Sequence, residues 1–121
     1  MQEMGIESTL VEAINSGEKT IEARLGKPKF LKIHEDDIIS VREDLWLGDE
    51  VINSFPDAVR IKITQVLYFE SFEDMLNAVD HQAAVPSAKT VADALKTYRK
   101  YYSEADEAEY GVVAFYFEVT E

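Results

Sequence analysis

The alternation of apolar and polar residues over positions 59–69 constrains the fold more than any other feature of this sequence. Val59, Ile61 and Ile63 stand at every second position, and polar residues such as Arg60 separate them. Successive side chains of a β-strand point to opposite faces, so the segment predicts a long strand with one buried face. Such a strand needs partner strands and a layer that covers its apolar face.

The last segment, residues 111–120, predicts a second essential strand. Both of its faces are apolar, which is typical of a strand in the middle of a sheet. Helices are predicted at 8–15 with Ser8 as N-cap, at 72–78 and at 90–102. Further short strands are predicted at 19–25, 37–42 and 50–53. We therefore expect an α+β fold in which five or six strands form a small mixed β-barrel flanked by short helices.

Three segments are predicted as turns or loops. Leu45-Trp46-Leu47 followed by Gly48 predicts an apolar turn, with the indole of Trp46 in the core. Phe55-Pro56-Asp57 predicts a second turn, because proline and aspartate both favour turn geometry. Residues 104–109 are acidic and predict either a loop or a single helical turn.

The length and composition indicate one globular domain, residues 1–121. Hydrophobic residues make up 46% of the 121-residue chain, which is enough to build a core. The sequence has no cysteine, so disulfide and thiolate chemistry are excluded. No apolar run approaches the roughly 18 residues that a membrane-spanning helix needs. We expect a monomeric cytoplasmic protein that does not bind membranes.

The net charge of −12 restricts the possible partners. Nucleic-acid affinity comes largely from neutralised phosphates, so no binding to duplex DNA is expected. Several basic residues nevertheless cluster near the N-terminal third of the chain. These five residues are Lys19, Arg24, Lys27, Lys29 and Lys32. Two interpretations stay open: separate solvated surface patches, or a basic mouth on an acidic body that suits a nucleotide, an RNA end or a loop.

The segment Gly17-x-Lys19-x-x-Glu22-x-Arg24 is the main candidate for a functional site. Gly17 ends a helix, and the strand that follows places Glu22 and Arg24 on one face. Lys19 lies at the turn, where partial burial would lower its pKa and allow it to act as a base. Alternatively, Lys19 is a surface lysine, and Glu22 and Arg24 form a structural ion pair.

This segment resembles the G-x-K-x-x-E-x-R signature of the ASCH domain, a family of the PUA-like superfamily. The helix before it, the long central strand and the ending Tyr110-Gly111-Val112 are also similar to small prokaryotic ASCH proteins. The resemblance covers nearly the whole chain. It implies a PUA-like barrel with a cleft that binds RNA, a nucleotide or a modified base. The expected ligand-binding residues are Gly17, Lys19, Glu22, Arg24, Lys27 and Tyr110.

One branch of small ASCH proteins hydrolyses the acyl amide of N4-acetylcytidine with a lysine, a threonine and a glutamate. Lys19 matches the lysine, but Glu22 stands where the threonine is expected. No glutamate precedes the C-terminal helix, and the nearest acidic residue is Asp80. Three hypotheses follow: an RNA- or nucleotide-binding module, a nucleoside amidohydrolase with Lys19 and Glu22 catalytic, and a protein-interaction module.

Aromatic residues and histidines complete the list of candidates. Tyr110 is predicted to line the cleft, whereas Tyr98 and Tyr102, at helical spacing, are predicted to pack in the core or at its rim. His34 and His81 are far apart and have no ligand spacing, so no metal site is predicted. The sequence has no phosphate-binding or dinucleotide-binding glycine motif, and we expect no cofactor.

Overall fold

The computed structural model describes residues 1–120 and has an α+β fold, as predicted. The five strands are β1 (Gln2–Glu7), β2 (Ile21–Leu25), β3 (Ile38–Leu47), β4 (Glu50–Phe69) and β5 (Val112–Thr120). The six helices are α1 (Ser8–Ser16), α2 (Pro28–Leu31), α3 (Phe72–Ala78), α4 (His81–Ala84), α5 (Val91–Arg99) and α6 (Glu104–Tyr110). Within residues 1–120, no helix is long and apolar enough to span a bilayer.

The five strands form one mixed sheet in the order β1-β3-β4-β5-β2. β1 pairs with β3 in parallel, and the other neighbours are antiparallel. The two edge strands, β1 and β2, approach each other, because Nη2 of Arg24 on β2 donates a hydrogen bond of 2.8 Å to the carbonyl of Gly5 on β1. No backbone pairing joins β1 to β2 in the described residues, so the predicted barrel is not closed there.

β5 is buried on both faces and separates two hydrophobic cores, as its composition predicts. Val113 and Phe115 pack with β1, β3, β4 and α1. Val112 and Ala114 point to the other side and pack with β2 and helices α3 to α5. The second core positions α4 and α5 over β2, which is the strand that carries Glu22 and Arg24.

The prediction of an apolar turn at residues 45–47 is wrong. These residues extend β3, and the reversal occurs at Gly48, where φ is 62°. Trp46 is 43% exposed rather than buried in the core. Apolar residues predicted a side chain in the core here, but the β3–β4 hairpin continues past the packed part of the sheet and carries the indole out of the core.

The predicted turn at Phe55-Pro56-Asp57 is also wrong, because β4 continues through it. The register with β3 shifts between Val41 and Glu43, so the segment forms a bulge, and φ of Asp57 is 53°. A proline that lacks an N–H is tolerated at a bulge, where the ladder is interrupted.

Local capping explains most of the helix boundaries. The hydroxyls of Ser71, Thr90 and Ser103 accept from backbone N–H groups in the first turns of α3, α5 and α6. The capping box of Ser103 makes residues 104–110 a helix rather than a loop. Ser8 is not the N-cap of α1, because its hydroxyl donates to the carbonyl of Asp44 instead.

Candidate functional site

The end of α1 positions the first residue of the site. Gly17 has φ of 85° and donates its N–H to the carbonyl of Ile14, so it caps the helix in the left-handed conformation that glycine favours. The chain then reverses, and the N–H of Lys19 donates to the carbonyl of Ala13. This reversal directs the side chain of Lys19 into the protein, where it is 1% exposed.

The ammonium group of Lys19 has three N–H donors and three acceptors around it. Nζ donates to the carbonyls of Ile21 at 2.7 Å and Ala84 at 2.5 Å, and it lies 3.5 Å from Oε1 of Glu22. Burial lowers the pKa of Lys19 below its ordinary value, and the Glu22 carboxylate partly opposes this effect. Lys19 therefore connects β2 to α4 and holds Glu22, with no donor left for a ligand.

Glu22 is the acceptor at the centre of the site. Its Oε2 accepts from Nη2 of Arg24 at 3.2 Å, and its Oε1 accepts from the N–H of Ala23 at 3.2 Å. Burial opposes ionisation, but the charges of Lys19 and Arg24 outweigh it and hold the pKa of Glu22 below its ordinary value. Glu22 is therefore a carboxylate at neutral pH, although only 6% of it is exposed.

Arg24 supplies hydrogen-bond donors next to this carboxylate. Burial alone would lower the pKa of Arg24, but Glu22 outweighs it and raises the pKa. Its guanidinium lies 5.5 Å from the ring centre of Phe30. Every hydrogen bond that Arg24 donates within residues 1–120 leaves from Nη2. Nε and Nη1 are therefore available to a ligand.

These three side chains line a cavity of about 200 Å³, which we call the motif cavity. Its walls also contain aromatic residues from β3 and α5 and from the segment that follows α5. These residues are Trp46, Tyr98, Tyr101 and Tyr102. Glu7 and Asp44 contribute two further carboxylates, so the charges around the cavity are close to balanced.

Tyr98 is the least satisfied polar group of the motif cavity. It is only 6% exposed, and its hydroxyl has no hydrogen-bond partner within the described residues. Burial raises its pKa well above the ordinary value, so the hydroxyl keeps its proton and can donate it to an acceptor. Leaving a buried hydroxyl without a hydrogen-bond partner costs free energy of folding.

Phe72 holds two of the cavity's tyrosines in place. Its ring stacks on Tyr98 at 4.5 Å and on Tyr102 at 5.1 Å, with interplanar angles of 13° and 16°. Phe72 itself is fully buried. The backbone N–H of Phe72 donates to the buried carboxylate of Glu107 at 2.7 Å, and Arg99 pairs with the other oxygen of Glu107 at 2.8 Å.

The structure brings together three of the six residues expected to bind a ligand. Lys19, Glu22 and Arg24 line the motif cavity, while Gly17 lies at a neighbouring shallow depression beside β5. Lys27 and Tyr110 pack on each other, with Nζ 5.3 Å from the ring centre, and lie outside the cavity lining.

Two aromatic contributions were not predicted from the sequence. Trp46 was expected in the core, yet it lines the cavity from an exposed strand. Tyr98 was expected to pack, which it does, but the residue also lines the cavity. The helical spacing of Tyr98 and Tyr102 predicted packing in the core or at its rim, and no local pattern pointed to Trp46.

The basic cluster forms a mouth only in part. Arg24 and Lys29 lie on the same ring, because both cations are 5.5 Å from the centre of Phe30. Lys19 is buried and paired, so it adds no charge to the surface. In residues 1–120, no three His, Asp or Glu side chains cluster as a metal site requires.

The chain is similar to several known structures. The sequence model of the ASCH domain family matches residues 4–121. The crystal structure of the hypothetical protein PH0355 has a TM-score of 0.83 and 29% identity, over 98% of each chain. The solution structure of protein PF0455 from Pyrococcus furiosus has a TM-score of 0.75 and 28% identity, over 99% of this chain and 97% of that one.

An ASCH domain from Lactobacillus crispatus has a TM-score of 0.53 and 17% identity, over 98% of this chain and 79% of that one. At that identity the likeness concerns the fold alone, and it agrees with the predicted PUA-like architecture. No curated protein matched the chain. Because the family match leaves out only the first three residues, the chain belongs to the ASCH domain family.

Proposed function

We propose that this ASCH domain binds one nucleobase, as part of a nucleotide, an RNA end or a modified nucleoside, in the motif cavity. The observation that carries this proposal is the buried Tyr98 hydroxyl, which has no partner in residues 1–120. Tyr98 lines the same cavity as an ionised carboxylate and free guanidinium donors. Together, Glu22, Arg24 and Tyr98 offer an acceptor and several donors to a planar polar edge.

The size of the cavity supports a small ligand. Drug-sized ligands occupy sites of about 300–1,000 Å³. The motif cavity, at about 200 Å³, is smaller, so it suits one ring system rather than an oligonucleotide. Its aromatic walls suit that ring, because bases stack on tyrosine and tryptophan side chains with little dependence on sequence.

The charge distribution supports the same class of ligand. Tight binding to a long nucleic acid requires many phosphate contacts. Arg24 and Lys29 provide only two cations around Phe30, on a protein of net charge −12. Because so few cations are present, the affinity should fall only weakly as the salt concentration increases. The kinship of ASCH domains with PUA domains favours RNA as the source of the base.

The direct test is a titration with ribonucleosides, mononucleotides, N4-acylated cytidines and a short single-stranded RNA at low salt. The fluorescence of Trp46, which is the only tryptophan, reports occupancy of the cavity that it lines. Glu22→Gln should weaken binding about 10- to 100-fold, because a hydrogen bond to a charged group is worth about 1.5–3 kcal/mol. The exposed variant Glu18→Gln is the matched control. No saturable change with any probe would refute the proposal.

The same mixtures decide the amidohydrolase hypothesis. Hydrolysis of an N4-acylated cytidine adds water across the amide and releases cytidine and a carboxylic acid, which mass spectrometry detects. The lowered pKa of Lys19 beside the cavity supports this hypothesis, but its three occupied donors do not. Turnover that Glu22→Gln abolishes would assign a hydrolase, and binding without turnover would leave a binding module.

Removing the Tyr98 hydroxyl should weaken ligand binding without lowering the stability of the fold. Tyr98→Phe deletes a buried group that has no partner in residues 1–120, so we expect stability to stay the same or to rise by about 1 kcal/mol. Binding of the best probe should weaken about 2- to 10-fold, because one neutral hydrogen bond is worth about 0.5–1.5 kcal/mol. Urea unfolding and the titration above measure the two effects.

The exposed variant Tyr68→Phe is the control and should change neither quantity. A Tyr98→Phe protein that is clearly less stable, but binds every probe normally, would show that the hydroxyl serves the fold instead.

A further inference from the structure

The β3–β4 hairpin extends past the rest of the sheet as an arm, which we define as residues 43–58. The pairing of β1 with β3 ends at Asp44, and the pairing of β5 with β4 begins at Arg60. Half of the twelve large hydrophobic side chains that are exposed in residues 1–120 lie in this arm. These six are Leu45, Trp46, Leu47, Val51, Ile52 and Phe55.

The two faces of the arm have different surroundings. Asp44 and Trp46 lie on the face that lines the motif cavity. Leu45 and Leu47 lie on the opposite face, and so does Phe55, because it pairs with Glu43 in the ladder. Leu47 is 70% exposed and Phe55 is 46% exposed. These three side chains form an exposed apolar stripe on the opposite face, beside Glu43 and Glu50, which pair with Phe55 and Leu47 and share that face.

The arm also has a free strand edge. Residues 50–58 pair with β3 on one side, and no strand within residues 1–120 pairs with them on the other. An exposed strand edge beside apolar side chains is a template for the addition of another strand. In such β-augmentation, main-chain hydrogen bonds give affinity and alternate side chains give specificity.

The arm is acidic, and this charge restricts which partner can bind to it. Residues 43–58 contain five acidic side chains and no basic one. The five are Glu43, Asp44, Asp49, Glu50 and Asp57. Arg42 forms an ion pair with Asp44, and Arg60 forms one with Asp57. The other three carboxylates of the arm have no ion-pair partner within residues 1–120.

This charge disfavours two occupants. RNA phosphates would face the carboxylates, and pairing with the arm of a second copy would bring two acidic strands together. Charge complementarity favours a basic segment with alternating apolar residues. We propose that the free edge of residues 50–58 binds an extended, basic segment of a protein partner, whose apolar side chains pack on Phe55 at the β4 side of the stripe. This inference does not depend on the proposed function.

The test uses the whole protein and an eight-residue peptide of alternating lysine and valine, with binding measured by calorimetry and by chemical shifts of the arm. We expect saturable binding with shifts concentrated in residues 45–55. Phe55→Ser and Glu50→Lys should each weaken binding at least 10-fold. Leu31→Ser changes an exposed leucine outside the arm and should leave binding unchanged.

Each remaining outcome would overturn the proposal. Equal binding of a glutamate–valine peptide would remove the role of charge, and equal binding of a lysine–serine peptide would remove the role of the apolar stripe. Sedimentation that shows a dimer, dissociated by Phe55→Ser, would assign the arm to a second copy. RNA binding that Phe55→Ser abolishes would assign it to RNA, and no peptide binding would leave the arm without this function.

Discussion

Replacing Lys19 with alanine should destabilise the domain by about 3–5 kcal/mol, as expected when one partner of a buried ion pair is removed. The carbonyls of Ile21 and Ala84 lose their donor, Glu22 loses a neighbouring positive charge, and the methylene stem leaves a void. Urea unfolding at neutral pH measures this loss of stability. Because Lys19 connects β2 to α4, we also expect α4 to lose protection from hydrogen exchange.

The exposed variant Lys89→Ala is the matched control and should change stability by less than about 0.5 kcal/mol. A Lys19→Ala protein as stable as the wild type would contradict the buried geometry described here. The expected instability has a practical consequence, because loss of activity in Lys19→Ala would not by itself show that Lys19 is catalytic. Glu22→Gln is the more informative variant, because a glutamine of the same size can still contact both Lys19 and Arg24.

Replacing Phe72 with alanine should cost about 3–5 kcal/mol of stability, the range for a fully buried phenylalanine. Phe72 lies between the rings of Tyr98 and Tyr102, so the variant also removes the support of two cavity walls. Ligand affinity should therefore fall even at temperatures where the variant is fully folded. Urea unfolding and the Trp46 titration measure the two losses separately.

Phe55→Ala makes the same chemical change on the exposed arm, and its cost should be below about 1 kcal/mol. If Phe72→Ala left both stability and affinity unchanged, the ring stack would not organise the cavity. Equal costs for the two phenylalanines would contradict the burial difference between them.

Local patterns predicted the framework of the fold well. The alternation at residues 59–63 and the apolar faces of residues 112–117 correspond to the long strand and the central strand. Gly17 ends α1, as the sequence indicated, and the helix predicted at 72–78 corresponds to α3. These features depend on neighbours within a few residues, so they can be inferred without tertiary structure.

The errors arose where tertiary structure outweighs local preference. Pro56 favours a turn, yet pairing with β3 accommodates it in a bulge. Trp46 is large and apolar, yet the hairpin carries it past the core to the cavity wall.

The sequence predicted the motif residues of the site but not the other residues that line the motif cavity. Strand alternation alone placed Glu22 and Arg24 on one face. The burial of Lys19 depends on α4, a helix that the sequence did not indicate. The pairing of Lys27 with Tyr110 depends on the approach of segments more than eighty residues apart in the chain, which no local pattern reveals.

The contact between Arg24 and Gly5 has a consequence for how the domain responds to a ligand. Gly5 lies in β1 at a close approach to the side chains of Arg42 and Asp44, which a Cβ atom would displace. The Arg24 guanidinium holds the carbonyl of Gly5 in this strand, and Arg24 also lines the motif cavity. Occupancy of the cavity and local opening of β1 are thermodynamically linked, since whatever orders Arg24 also lowers the population of molecules in which the first strand has detached.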